Sequence, residues 1–239
     1  MSEEAKEDAQ RIEDLVIANR ILAQQGVLDG FGHVSVRSAQ NPRHYFMSQS
    51  RAPELVSAED IMEYDEDSQP LDLQGRRQYG ERYIHGEILR ARPDVNAVIH
   101  SHSLSVIPFG ISRIALRPIC HMAGFLSPSS PVFEIREAEG ENNSMLVLKK
   151  ATGAALATKL GGSPVVLMRG HGNAVVGSTL QIAVFRAIYT EVNARLQSQA
   201  LTMGEIVYLN EFEAANVDAI NQRAIMRPWE LWKRKAMGA

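Results

Sequence analysis

Cysteine is nearly absent: Cys120 is the only one in 239 residues, so an internal disulfide and a cysteine-based metal cluster are both excluded. Long hydrophobic runs are missing too. Nowhere do roughly 18 apolar residues follow one another, the length that a membrane-spanning helix needs. Charge of one sign is not in excess, and a net charge of -3 gives no electrostatic pull toward nucleic acid or an anionic membrane. The first ten residues are acidic and polar and lack the apolar core of a signal peptide. No internal repeat or low-complexity linker breaks the chain. These absences predict a soluble, reduced, cytoplasmic protein. Hydrophobic residues, at 45%, are ample for a full core, and 239 residues suit one large domain.

Periodicity predicts an α/β domain over 1–239 with a helical tail from about 211–239. From about 7–24, Ile12, Leu15, Val16, Ala18, Ile21 and Leu22 recur at three- and four-residue steps, the mark of an amphipathic helix. Helices are also expected at 81–90, stopped by Arg92-Pro93, at 151–160, closed by Gly161-Gly162, at 180–201 and at 214–226. Val34 and Val36, Tyr45 to Met47, and the residues near Ile61 to Tyr64 read as strands, the last after a Ser57/Asp60 helix-capping pattern. Further strands are expected at 95–100, 114–119, 132–135, 145–148 and 165–168. Trp229 and Trp232, at i and i+3, are expected to pack the tail.

Three histidines carry the chemical signal. His100 and His102 stand at i, i+2 in Val98-Ile99-His100-Ser101-His102, so on a strand they project to one side of the sheet. His171 lies in Arg169-Gly170-His171-Gly172, a turn at the end of another apolar strand. Three imidazoles meeting at a point form an open divalent metal site with positions left for water or substrate. Glu81 and His85 share a helix face at i, i+4, and that helix leads directly into the strand of His100. The carboxylate is placed to be a ligand or an acid/base group. His85 reads as a support or a packing residue, and Cys120 as a small buried hydrophobe, since nothing marks it as activated.

The ordered set Gly32-His33-Val34-Ser35-Val36-Arg37, Glu81-Arg82-Tyr83-Ile84-His85, Ala91-Arg92-Pro93-Asp94 through His102, and Arg169-Gly170-His171-Gly172 resembles the class II aldolase/adducin family. That resemblance implies a three-layer α/β/α fold with a central, mainly antiparallel sheet. It also implies a homotetramer with sites between subunits and one divalent metal per subunit on His100, His102 and His171. Manganese or zinc is expected, with iron a further option for the same imidazoles. Glu81 takes the place of the family's acid/base. Non-catalytic adducin head domains share the fold, so an assembly module is one alternative.

Sugar-phosphate members of that family hold phosphate with small residues that are replaced here. His33 stands where asparagine is usual, Gln49-Ser50-Arg51 replaces a threonine-glycine loop, and Tyr79-Gly80 replaces a serine pair. Arg51 offers a planar fork for a carboxylate instead. The segments 106–110 and 117–122 resemble the subgroup acting on hydroxylated aromatic or pyridine dicarboxylates and are expected to wall an aromatic pocket. The resemblance therefore implies a metal-dependent, non-oxidative decarboxylase of a small-molecule carboxylate. Glu81 or His121 would be the proton donor, and Arg51, His33 and Ser48 the substrate contacts. A class II aldolase acting on a non-phosphorylated hydroxy-keto acid is the other enzymatic alternative.

Overall fold

A computed structural model describes residues 2–238, so the first and last residues of the 1–239 span lie outside the described residues. In chain order the elements are α1 (Glu3–Gln24), β1 (His33–Arg37), β2 (Tyr45–Ser48), β3 (Ile61–Tyr64), α2 (Arg82–Ala91), β4 (Ala97–Ser101), α3 (Ile107–Ile111), β5 (Val132–Phe133), α4 (Arg136–Glu139), α5 (Lys150–Leu160), β6 (Val165–Met168), β7 (Gly172–Gly177), α6 (Leu180–Met203), α7 (Glu211–Arg223) and α8 (Met226–Ala236). One-turn 3-10 segments lie at Pro53–Leu55 and Ala58–Asp60, and a longer one at His121–Leu126. Ser57 and Asp60 close the capping box that their spacing predicts.

The seven strands form one sheet in the order β3-β2-β1-β4-β7-β6-β5. Every pairing is antiparallel except β5 with β6. Alternation along β4 sends Ala97 and Ile99 to one face, where Leu15, Ile21, Val184 and Trp229 pack, and Val98 to the other, with Ile84, Ile88 and Leu156. Helices thus cover both faces, α1, α6 and α8 on one and α2 and α5 on the other. The expected α/β/α layering and mainly antiparallel sheet are present. Trp229 and Trp232 are both buried against the α1 side, so the last helix closes that core. Among the described residues no helix is long and apolar enough to cross a membrane.

Two expected strands do not form. Residues 114–119 form no strand, and their backbone pairs with side chains instead. The Arg117 amide donates to Gln197 Oε1 and the Ile119 amide to Asn193 Oδ1, both at 3.0 Å. Asn193 Nδ2 and Gln197 Nε2 in turn donate to the carbonyls of Arg117 and Ala115, both at 2.8 Å. Two carboxamides one helical turn apart on α6 therefore satisfy this backbone as a neighbouring strand would. Residues 145–148 form a loop of the functional site, described below. The sheet gains β7 in their stead, a six-residue Gly-bounded strand paired to both β4 and β6.

Asp8 on α1 fixes the turn after β1. Its carboxylate is buried and accepts hydrogen bonds from the Ala39 amide (2.6 Å), Ser38 Oγ (2.8 Å) and the amide and side chain of Gln40 (both 3.2 Å). Burial pushes its pKa up, but the four hydrogen bonds outweigh burial and leave it below the ordinary value of 3.8. A depressed folded-state pKa stabilises the fold above the unfolded value, and the stabilisation fades as pH falls through the folded value. Asp8→Asn is expected to cost about 1–3 kcal/mol at pH 7. Denaturant unfolding should show the gap to wild type narrowing as pH drops below about 3.8.

Candidate metal centre and substrate cavity

The site sits at one end of the sheet, where β4 finishes, β1 and β7 start and α2 begins. His100 and His102 project to the α2 side from β4 and the residue after it. Gly172 lets the turn carrying His171 close onto them: a side chain there would place its Cβ 2.0 Å from the Ser101 carbonyl oxygen. Gly32, at φ +88°, similarly lets the turn before β1 lie on the end of β4, where a Cβ would meet the His100 carbonyl at 2.9 Å. His102 Nε2 is then 3.2 Å from His100 Nε2 and 3.1 Å from His171 Nε2.

The backbone fixes which nitrogens face inward. His100 Nδ1–H donates to the Asn173 carbonyl at 3.1 Å, and His171 Nδ1–H to the Met145 carbonyl at 2.9 Å. A neutral imidazole with its proton on Nδ1 presents a bare lone pair on Nε2. Burial first, then the surrounding imidazoles, hold His100 well below its ordinary pKa, and burial followed by His171 lowers His102. Lone pairs of the same sign therefore converge with no proton between His100 and His171, an arrangement that a cation relieves. Ligand nitrogens about 2.1 Å from one divalent ion at octahedral to tetrahedral angles stand roughly 3.0–3.4 Å apart, so the observed spacing fits. The backbone acceptors behind Nδ1 also have the orienting role expected around such ligands.

Glu81 completes the cluster. It is the residue at the start of α2, but its carboxylate does not cap the helix. Oε1 accepts from the Val147 amide at 2.9 Å, while Oε2 lies 3.6 Å from His171 Nε2 and 3.8 Å from His100 Nε2. One ligand atom from each of Glu81, His100, His102 and His171 falls within 4.8 Å of the others. Burial pushes the Glu81 carboxyl above its ordinary value, against the opposing pulls of His171 and the Val147 amide. The loop at 143–148 thus holds two members of the cluster, through the Met145 carbonyl and the Val147 amide. Met145 sits at φ 67°, and its amide donates to Asn143 Oδ1 at 3.0 Å. Turned this way, the loop bonds to site side chains and cannot be the expected strand.

A cavity of about 650 Å³ opens over the cluster, lined by Phe31, His33, Arg51, Tyr79, Glu81, His102, Leu146 and Leu148, with glycines and Ala52 between them. Arg51 is half-exposed at its wall, and Nη1 is 3.1 Å from Asp60 Oδ1. Tyr79 holds the Arg51 backbone, donating its hydroxyl to the carbonyl at 2.6 Å and accepting from the amide at 3.2 Å. His33 is buried directly across the β1–β4 pair from His100, ring centroids 5.0 Å apart, with Tyr79 at 4.5 Å. Burial first, then His85, hold His33 well below its ordinary pKa, and burial alone takes His85 down to about 3.

The remaining expected site residues fall elsewhere. Ser48 is buried at the end of β2, and its hydroxyl has no partner among the described residues. His121 is exposed, on the 3-10 segment packed against α7, where its carbonyl accepts from Asn221 Nδ2 at 2.8 Å. It takes no part in this chain's cluster or cavity wall. The expected aromatic wall at 106–110 is also displaced: Val106 and Phe109 are core residues. Phe31, Leu146 and Leu148 wall the cavity in their place, and the sequence offered no sign of it beyond apolar residues next to glycine or polar turns. A brace with no local signature in the sequence supports the end of β4. Glu191 of α6 accepts from Ser103 Oγ, Ser105 Oγ and the Ser105 amide, pinning the chain just past His102.

Residues 13–198 match the family described as class II aldolase and adducin N-terminal domain. Decarboxylase tropJ of Talaromyces stipitatus is 37% identical over 238 residues, which cover 90% of each chain. A 3,4-dihydroxyphthalate decarboxylase of Arthrobacter keyseri is 30% identical over 210 residues, 80% of this chain and 79% of that protein. Among solved structures, an L-fuculose 1-phosphate aldolase from Glaciozyma antarctica superposes with a TM-score of 0.81 at 22% identity, covering 99% of this chain and 92% of that one, a likeness of fold. The site residues and the family match converge: the chain belongs to the class II aldolase and adducin N-terminal domain family.

Proposed function

We propose that the chain is a carboxy-lyase that removes CO2, without an oxidant, from a hydroxylated aromatic or pyridine (di)carboxylate. The observation that carries this reading is the three-imidazole cluster with Glu81 beside it, opening into a cavity that holds an arginine and apolar walls. The named activities of the tropJ and 3,4-dihydroxyphthalate relatives support it. A divalent ion on His100, His102 and His171, manganese or zinc with iron as a further option, would supply Lewis acidity for the electron pair left when the carbon–carbon bond breaks.

The chain's own residues divide the remaining work. The half-exposed guanidinium of Arg51, not consumed by its single contact with Asp60, pairs the carboxylate that stays on the ring. Phe31, Leu146 and Leu148 offer apolar surface to the ring face, and His33 brings a polar group to the cavity wall, whereas Ser48, buried in β2 outside that wall, contributes no contact. The bond to the departing carboxylate breaks, its electron pair stays on the ring carbon, and a proton must reach that carbon. Glu81, whose burial favours the protonated form, is placed to deliver it. His121 stands apart from this chain's cluster, so it would serve only a neighbouring copy in the homotetramer with shared sites that the family resemblance implies. A cytoplasmic location belongs to the same reading.

Arg51→Gln tests the carboxylate contact. With 3,4-dihydroxyphthalate its KM is expected to rise roughly 10- to 100-fold, the worth of a charge-assisted pair, with kcat changed far less. A ring acid carrying only the departing carboxylate should show no such rise. Equal effects on both substrates would remove Arg51 from the proposed role.

A further inference from the structure

Behind the cluster, the α2 side of β1 carries an imidazole that the proposed chemistry does not use. His85 sits between two β1 residues: its Nε2 is 2.6 Å from His33 Nδ1, and its Nδ1 is 2.6 Å from Ser35 Oγ. His33 and Ser35 are at i, i+2, so they share a face of the sheet, and α2 lays His85 across both. His85 and Ser35 are completely buried.

A bond between two imidazoles takes one N–H and one lone pair, so this chain of groups can run in only two directions. In the first, His33 donates to His85, His85 donates to Ser35, and the Ser35 hydroxyl proton needs another acceptor. Among the described residues Ser35 Oγ has no hydrogen-bond partner except His85. A buried hydroxyl proton left unpaired is the more costly defect. In the second direction, Ser35 donates to His85 Nδ1 and His85 Nε2–H donates to His33 Nδ1. The buried Ser35 and His85 protons then both have acceptors, His33 must carry its own proton on Nε2, and the one N–H left unpaired is on a ring that lines the cavity. The His33 ring is held between Tyr79 and His100, lines the cavity beside Arg51 and Glu81, and its Nε2 has no partner among the described residues.

We propose that Ser35 and His85 are positioning residues that fix His33 as an Nε2–H donor aimed into the cavity, where it binds an anionic oxygen, carboxylate or phenolate, of the substrate. This rests on the reading of the cavity as a site for hydroxylated aromatic carboxylates. It adds a directional requirement: the His33 contact recognises an acceptor and repels a cation or a group that only donates.

The test reads tautomers and binding, not turnover. Nitrogen-15 spectra of the zinc-loaded, histidine-labelled protein, assigned with His33→Asn and His85→Asn, are expected to show the proton on Nε2 of both rings. In Ser35→Ala the His85 tautomers should mix, and salicylate, an ortho-hydroxy carboxylate probe, should bind roughly tenfold more weakly with metal content unchanged. His33→Ala should lose at least as much affinity, and His33→Asn, which keeps an N–H donor, should recover part of it. A proton on Nδ1 of His33 in the wild-type spectrum overturns the proposal. So does unaltered salicylate affinity in both Ser35→Ala and His33→Ala. If salicylate fails to bind, or Ser35→Ala fails to fold, the wild-type spectrum decides alone. Failure to release CO2 would overturn the decarboxylase reading while leaving these readouts intact.

Discussion

His102→Ala is expected to abolish metal binding and CO2 release together. His102 Nε2 stands between the other two imidazoles, at 3.2 and 3.1 Å, so removing it opens the centre of the ligand set and leaves His100 and His171. Its side chain lies past the end of β4 at the cavity wall, whereas His100 is fully buried inside the sheet. Truncation at 102 therefore separates loss of the ligand from loss of the fold better than truncation at 100 does. Lewis-acid assistance contributes several kcal/mol to such a reaction, so the rate should fall on the order of 10³-fold or more. Metal analysis of dialysed protein should drop from about one ion per chain to a small fraction, with a thermal midpoint close to that of wild type before metal loading. Stoichiometric metal retained in His102→Ala would contradict the ligand assignment.

Glu81→Gln should behave differently: metal stays and chemistry slows. The amide oxygen of glutamine can still accept from the Val147 amide, so the loop at 143–148 and its hold on His171 remain. What is lost is a titratable proton 3.6–3.8 Å from the imidazole nitrogens. General acid catalysis is worth roughly 10²–10⁴-fold, and that loss should appear in kcat with little change in KM. Metal content near wild type together with a kcat loss of this size assigns Glu81 to proton transfer. Loss of the metal along with the rate would make Glu81 a ligand instead.

The parts of the site that were legible in the sequence are those fixed by short-range geometry. Two histidines at i, i+2 on an apolar strand must share a face, and Glu81 must open the helix that feeds that strand. The glycines flanking His171 marked a tight turn, although not the clash at the Ser101 carbonyl that makes Gly172 necessary. The illegible parts depend on partners far away in sequence. Residues 145–148 have strand composition, yet their amide and carbonyl groups serve Glu81 and His171. Residues 114–119 have it as well, yet Asn193 and Gln197 replace the neighbouring strand. Nothing local distinguishes an apolar segment bonded to a strand from one bonded to carboxamides on a helix. The cavity wall departs from the expected segment for a related reason: Phe109 is core and Phe31 is wall because of where the turn after α1 falls. His85 was visible as a helix-face residue, but its bridge from Ser35 to His33 exists only once α2 lies on β1.

The central claim is tested most directly by incubating the metal-loaded protein with 3,4-dihydroxyphthalate under nitrogen while measuring CO2 and the ring product. The expected result is one CO2 per substrate consumed, with the dihydroxybenzoate as co-product and no requirement for oxygen. No CO2 from this or related ortho-hydroxy aromatic dicarboxylates, together with release of pyruvate or an aldehyde from a hydroxy-keto acid, would contradict it.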